Sequence, residues 1–251
     1  MAKRAILADV HANQSALVAV LADVRRLGVT EIVYLGDIVG YGARPKECVA
    51  QARHFAWCVK GNHDAGLFSA EQEERFSARA AESLAWTRRK LDDPKDPESP
   101  ARMEFLRSLP EKVVEGDVLY VHGSPRMPLN EYVKPTLGKM HPDRLKVIFD
   151  MIPHVAFVSH THVPGVFTDD LVFHPPVELG NEFEIGPGKV IINVGSVGQP
   201  RDGNERACYA LFDGTTVTWR RIQYDVDVEA SRIYAVPELD DSLGDRLYEG
   251  R

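Results

Sequence analysis

The chain is poor in cysteine: Cys48, Cys58 and Cys208 are the only three in 251 residues, scattered and without C-x-x-C spacing. A disulfide framework is therefore not expected, and the three read as reduced, packed thiols of a cytoplasmic protein. No uninterrupted apolar run reaches the roughly 18 residues of a membrane span. Met1-Ala2-Lys3-Arg4 leads straight into a short apolar segment, without the longer stretch and small-residue cleavage site of a secretory signal. Positive charge is also short, with 30 Lys and Arg against 37 Asp and Glu and a net charge of -7, which argues against a broad nucleic-acid-binding surface. Two catalytic signatures are missing as well. Gly195-Ser196-Val197-Gly198 lacks the G-x-S-x-G spacing of a nucleophile elbow, and no G-x-x-x-x-G-K-[ST] phosphate loop occurs.

What is present is a set of five polar motifs in order: Asp9-Val10-His11, Gly36-Asp37, Gly61-Asn62-His63-Asp64, His122-Gly123 and Ser159-His160-Thr161-His162. Each follows a β-like apolar run, Ala5 to Ala8, Ile32 to Leu35, Phe55 to Val59, Val118 to Val121 and Val155 to Val158. Short continuous apolar runs are the pattern of strands buried on both faces. In an open α/β sheet, ligands bind beyond the carboxyl ends of the strands, so the motifs are expected to converge on one edge.

Leu17, Leu21, Val24 and Leu27 recur at helical spacing after Asn13, a natural N-cap, and Gly28 closes that helix. The first 59 residues thus predict β-α-β-α-β with right-handed crossovers. Further helices are predicted over about 73–91 and 142–152, the latter stopped by Pro153. The stretch Asp92 to Pro100 is charged and proline-broken, an exposed loop rather than a domain linker because motifs on both sides of it must meet. Strands are predicted over 118–121, 155–158, 190–194, 208–212 and 216–220, with Asp213-Gly214 a hairpin turn between the last two. Residues 1–251 are accordingly expected to form a single domain.

Carboxylates, an amide oxygen and imidazoles together suit a pair of divalent transition metals. In Asp9-Val10-His11, residues two apart on an extended segment would point the same way. The expected partition gives Asp9, His11, Asp37 and His162 to one ion, and Asp37, Asn62, His122 and His160 to the other, with Asp37 bridging. Such a pair, roughly 3.5 to 4 Å apart, would clamp phosphoryl oxygens and supply a hydroxide for in-line attack, with no protein nucleophile needed. His63 is then the expected general acid for the leaving oxygen, with Asp64 orienting its imidazole. Arg126 and Arg201 follow motif-bearing turns and are candidates for holding phosphate oxygens. Tyr41 and Arg44, beside Gly40 and Gly42, read equally well as residues that shape a turn. His54 and His174 read as surface or packed histidines.

The ordered motifs resemble those of the calcineurin-like metallophosphoesterase family, whose pattern is D-x-H, G-D, G-N-H-D/E, a single His and G-H-x-H. The resemblance spans about Arg4 to Asp213, and Asn193 to Arg201 is similar to the segment after the last ligands in small bacterial members. It implies a four-layer α/β/β/α sandwich of two mixed sheets flanked by helices, with the dimetal site at one edge. Two departures stand out: Ser159 replaces a glycine before His160, and Val194 replaces a proline. The expected activity is a cytoplasmic, dimetal-dependent phosphoesterase acting on small phosphodiesters. A phosphomonoesterase, protein phosphatase or dinucleoside polyphosphate hydrolase would use the same ligands, and a metal-retaining protein-binding scaffold is the alternative of another class. Manganese is the first expectation for the metal, with iron, nickel, cobalt or zinc compatible with the donors. Neither a membrane nor a nucleic-acid partner is expected.

Overall fold

A computed structural model describes residues 3–251, leaving Met1 and Ala2, the start of the expected leaderless entry into the first strand, outside the described residues. In chain order the strands are β1 (Arg4–Leu7), β2 (Glu31–Tyr34), β3 (Trp57–Cys58), β4 (Lys112–Glu115), β5 (Val118–Val121), β6 (Val155–Val158), β7 (Gly165–Phe167), β8 (Phe173–His174), β9 (Glu182–Glu184), β10 (Val190–Asn193), β11 (Ala207–Phe212) and β12 (Thr216–Ile222). They form two mixed six-stranded sheets, ordered β3-β2-β1-β11-β12-β9 and β4-β5-β6-β10-β7-β8. The β1-β2 and β2-β3 pairs are parallel, as are β5-β6 and β6-β10.

Period-two alternation turns the apolar runs into four layers. Ile6 and Val33 of the first sheet meet Tyr120, Phe157 and Ile192 of the second in the space between them. Their neighbours Ala5, Leu7 and Tyr34 point the other way, onto the helix Gln14–Arg26 and others. Leu119, Val121, Ala156 and Val158 cover the helix Pro142–Asp150 on the outer face of the second sheet. Both faces of each central strand are therefore apolar, and each large side chain fully buried there contributes roughly 1.5–3 kcal/mol.

The β-α-β-α-β start is present, and Asn13 caps the first helix through the Ala16 N–H. Its buried face is Ala16, Leu17, Val20 and Val24, whereas Leu27 is exposed. The strand expected from Phe55 narrows to two residues, because β3 is an edge strand paired only at Val33 and Tyr34. The helix expected from 73 to 91 is interrupted: Ala70–Glu73 ends, and Ser77 starts a second helix, Ala78–Leu91, by accepting the Ala80 N–H. The loop after Leu91 is shorter than expected, since Ser99 opens the helix Ser99–Ser108 with Pro100 in its first turn, where a missing N–H costs nothing. Asp96 within that loop pairs with Lys46 and Arg102. The sequence pattern missed β4, β7, β8 and β9, which are short and three of which lie at sheet edges.

Past β12, the helices Val226–Tyr234 and Ser242–Glu249 pack on each other through Ile233, Leu243 and Leu247, together with Trp86. Tyr41 rests against this cluster, so the C-terminal segment closes over the edge that carries the motifs. No helix among the described residues is long and apolar enough to cross a membrane.

Candidate metal centre

Asp9, Asp37, Asn62, His122 and His160 each lie just past the end of a parallel strand, with His11 and His162 two residues beyond. The chain does not stay extended there, contrary to the simple period-two expectation. Asp9, His11, Asp37, His160 and His162 have φ of 51°, 47°, 60°, 64° and 60°, left-handed conformations that L-residues rarely adopt. Each such residue costs of order 1–3 kcal/mol, a concentration typical of functional sites. The surroundings enforce it through hydrogen bonds from Asp9 N to Gly36 O (3.0 Å) and His11 N to Asp37 O (3.0 Å). The Tyr34 hydroxyl ties the same turns together, accepting from Val10 N at 2.8 Å and donating to Asp37 O at 3.1 Å.

These turns bring the donor atoms into two groups that share Asp37. In the first, His11 Nε2 lies 3.3 Å from His162 Nε2 and 3.7 Å from Asp37 Oδ2, and His162 Nε2 lies 3.6 Å from Asp9 Oδ1. In the second, His122 Nε2 lies 3.1 Å from Asn62 Oδ1, 3.0 Å from His160 Nδ1 and 3.4 Å from Asp37 Oδ2. All of these residues are buried.

Hydrogen bonds behind the rings fix which nitrogen faces inward. Nδ1–H of His11 donates to Val39 O (3.2 Å), that of His122 to Leu35 O (2.8 Å) and that of His162 to Gln199 O (2.6 Å). In the neutral ring each Nε2 then turns a lone pair into the centre, where it can bind a cation. Ser159 joins this backing, with its hydroxyl donating to Leu35 O (3.1 Å) and lying 3.0 Å from His122 Nδ1. Neither carboxylate oxygen of Asp9 has a hydrogen-bond partner, and burial pushes that carboxyl well above the usual range. Burial opposes charge on His122, yet Asp37 and then Asp9 outweigh it and lift its pKa to about 9, so its inward Nε2 holds a proton that a bound cation would displace. The donor set thus draws positive charge, and it fits divalent metal.

His63 and Asp64 part company here. Asp64 does not orient the His63 ring: its carboxylate accepts from Asp37 N (2.8 Å), Ile38 N (3.0 Å) and Gly61 N (3.0 Å), clamping the turns that carry Asp37 and Asn62. His63 instead donates its backbone N–H to Asp37 Oδ1 (2.8 Å), and its ring packs against Tyr41 and Phe76 with centroids 4.5 and 4.6 Å apart. Burial lowers its pKa to about 4, and its Nδ1 has no partner. Two glycines leave the necessary room: a Cβ on Gly61 would meet Asp37 Oδ1 at 2.1 Å, and one on Gly40, at φ +92°, would meet His63 Nδ1 at 2.4 Å.

Of the two candidate arginines, Arg126 is committed elsewhere. It forms a two-nitrogen contact with the buried carboxylate of Glu131, which also takes Arg144 and the Ser124 hydroxyl. Arg201 sits at the mouth, where its charge depresses the imidazoles of His11, His63, His160 and His162 after burial has done so. Arg44 turns away to Glu47 (3.2 Å), while Tyr41 packs its ring 4.8 Å from that of His11. His54 is exposed, and His174 lies on the edge strand β8. The sequence reading missed three residues around the centre: Tyr132, stacked 3.8 Å over His160; Gln199, behind His162; and Arg246, from the last helix. Only Gln199 carried a signal, by standing inside the segment Asn193 to Arg201.

A model of the calcineurin-like phosphoesterase superfamily domain matches residues 3–216. Over 98% of both chains, the protein is 35% identical to an uncharacterised protein of Methanocaldococcus jannaschii. The crystal structure of a metallophosphoesterase from Sphaerobacter thermophilus is similar over 100% of this chain and 99% of that one, with 36% identity and a TM-score of 0.83. A hypothetical protein from Pyrococcus horikoshii OT3 shares the fold, at 20% identity and a TM-score of 0.78 over 100% and 99% of the two chains.

Proposed function

The chain belongs to the calcineurin-like phosphoesterase superfamily and is a metal-dependent phosphoric ester hydrolase; from that premise we propose that it uses two divalent cations and acts on small phosphodiesters. The observation that carries this reading is the set of imidazole Nε2 atoms turned inward on both sides of Asp37. Asp9, His11, Asp37 and His162 would hold one ion, and Asp37, Asn62, His122 and His160 the other. Bound there, the cations supply a hydroxide at neutral pH and neutralise phosphoryl oxygens. Manganese is the first choice for this oxygen and nitrogen set, with iron, nickel, cobalt and zinc as alternatives.

The charges of the chain favour a diester. Asp9 and Asp37 would cancel half the charge of two divalent ions, and one phosphodiester anion with the hydroxide that the ions would supply would balance the remainder. His63 protonates the leaving oxygen. Its buried ring is neutral by itself, so the approaching phosphoryl charge must raise its proton affinity during the reaction. Asp64 is a positioning residue for the turns that carry Asp37 and Asn62. Arg201, at the mouth, meets the anion as it enters. Residues 1–251 work as one catalytic unit in this reading, and the buried thiols suit a cytoplasmic setting.

The test is hydrolysis of bis(4-nitrophenyl) phosphate and 4-nitrophenyl phosphate by metal-stripped protein, with and without added manganese. Manganese-dependent turnover preferring the diester is expected. Preference for the monoester reverses the substrate assignment, and no turnover by a fully metal-loaded protein favours a protein-binding scaffold. His63→Gln should keep its metal and lose roughly 10²- to 10⁴-fold in kcat; unchanged turnover removes His63 from the chemistry.

A further inference from the structure

The helix Ser242–Glu249 lies beyond the matched family domain and brings one more cation to the mouth of the centre. Arg246 donates to Gln199 Oε1 at 3.3 Å, and Arg201 donates to the same oxygen at 2.8 Å. The Arg246 guanidinium also lies over the Tyr41 ring, 5.8 Å from its centroid, and that ring in turn packs on His63 and His11. Two guanidiniums therefore converge on one neutral acceptor beside the reacting groups.

No carboxylate among the described residues forms an ion pair with either arginine. The nearby acids are engaged elsewhere: Asp240 with Arg79, Glu249 with Arg251 and Asp245 with the Tyr234 hydroxyl. Arg201 Nε is buried without any acceptor. Burial and then the neighbouring Arg201 hold Arg246 below its ordinary pKa, a sign that the two cations repel. A like-charged pair fixed in a partly dry wall is relieved by an anion that bridges it, and guanidinium forks match phosphate oxygens in bidentate fashion. Because a hydroxide and a simple diester already balance the metals and carboxylates, this pair calls for additional negative charge on the substrate.

We propose that Arg201 and Arg246 seat a second phosphate of the substrate, joined to the scissile one, so that the enzyme prefers esters of diphosphate or longer phosphate chains to esters of a single phosphate. The proposal rests on the phosphoesterase reading above. Gln199 sets the spacing: its side chain holds both forks while its backbone carbonyl fixes the ring of His162, so the second phosphate is placed relative to the metal ligands. Tyr41 keeps Arg246 at the rim and His63 beneath it.

Two substrates that differ by one phosphate test this: 4-nitrophenyl thymidine 5′-phosphate and 4-nitrophenyl thymidine 5′-diphosphate, with hydrolysis at either phosphorus read by chromatography. Manganese-loaded wild type is expected to show a kcat/KM roughly 10- to 100-fold higher for the diphosphate ester, the scale of a charge-assisted contact. Arg246→Met, which keeps the stem over Tyr41, should bring that ratio near one, chiefly by raising KM for the diphosphate ester. Arg246→Lys should restore part of it. A merely structural role would lower kcat for both esters alike and leave the ratio unchanged, which overturns the proposal, as does a wild type that cleaves both without preference. A fully loaded wild type that cleaves neither ester removes the phosphoesterase reading and this inference with it.

Discussion

Glu131 and Asp37 are both almost out of contact with water, 2% and 1% exposed, yet their charges are handled in opposite ways. Glu131 is satisfied from within the protein by Arg126, Arg144 and Ser124, which together hold its pKa below the usual range although burial pushes upward. Asp37 has imidazoles around it, and no lysine or arginine pairs with it among the described residues. A carboxylate neutralised by its own chain is a fastener, because nothing further can be gained by binding there. A carboxylate whose counter-charges are protons on neighbouring imidazoles is a seat for a cation that can displace those protons. The fastener serves the seat, since Glu131 precedes Tyr132 and the pinned loop lays that ring on His160.

Replacing each carboxylate should separate the two roles. The largest effect is expected for Asp37→Asn, which removes the shared ligand. Turnover should fall well beyond the roughly 10- to 100-fold typical of a group that merely backs a ligand, and elemental analysis should find both metal sites depleted. Full metal occupancy in the variant would break the bridging assignment.

Glu131→Gln should do the reverse. Removing one partner of a buried ion pair costs roughly 3–5 kcal/mol, but Arg126 and Arg144 are each 39% exposed, so about 2 kcal/mol is the better expectation after solvent screening. That corresponds to a fall in Tm of roughly 4–8 °C at this chain length, with metal content unchanged. A variant that melts like wild type but loses metal would erase the contrast between the two clusters. The smallest effect belongs to Arg126→Met. Its head group is largely solvated and Arg144 remains on Glu131, so kcat/KM should stay within about twofold of wild type, a surface pair being worth little. A large loss of kcat/KM would return Arg126 to the substrate site.

Most of the centre was legible because its donors follow apolar runs, and runs buried on both faces mark the central strands of a layered α/β fold. The interior strands β1, β2, β5, β6, β10, β11 and β12 were read from their apolar pattern, whereas β4, β7, β8 and β9 were not, since strands of two to four residues carry too little pattern to be read. Asp64 was misread because adjacency in sequence suggested contact with His63. In a helical turn neighbouring side chains diverge, and Asp64 instead reaches back to backbone amides. Arg126 was misread because nothing in a linear pattern announces that Glu131 and Arg144 will close around it. Arg246 left no mark at all, being one charged residue on an amphipathic helix.

The sequence by itself determined the donor chemistry, the order of the motifs and the strands that carry them, because residue type and local apolar pattern are properties of short segments. The tertiary structure decided what short segments cannot encode. It set the left-handed turns that aim Asp9, His11 and Asp37, the carbonyls of Val39, Leu35 and Gln199 that point imidazole Nε2 atoms inward, and which buried charges found partners. These depend on contacts between residues as far apart as Arg201 and Arg246, and only packing of the two sheets and the C-terminal helices brings such groups within hydrogen-bond reach of Gln199.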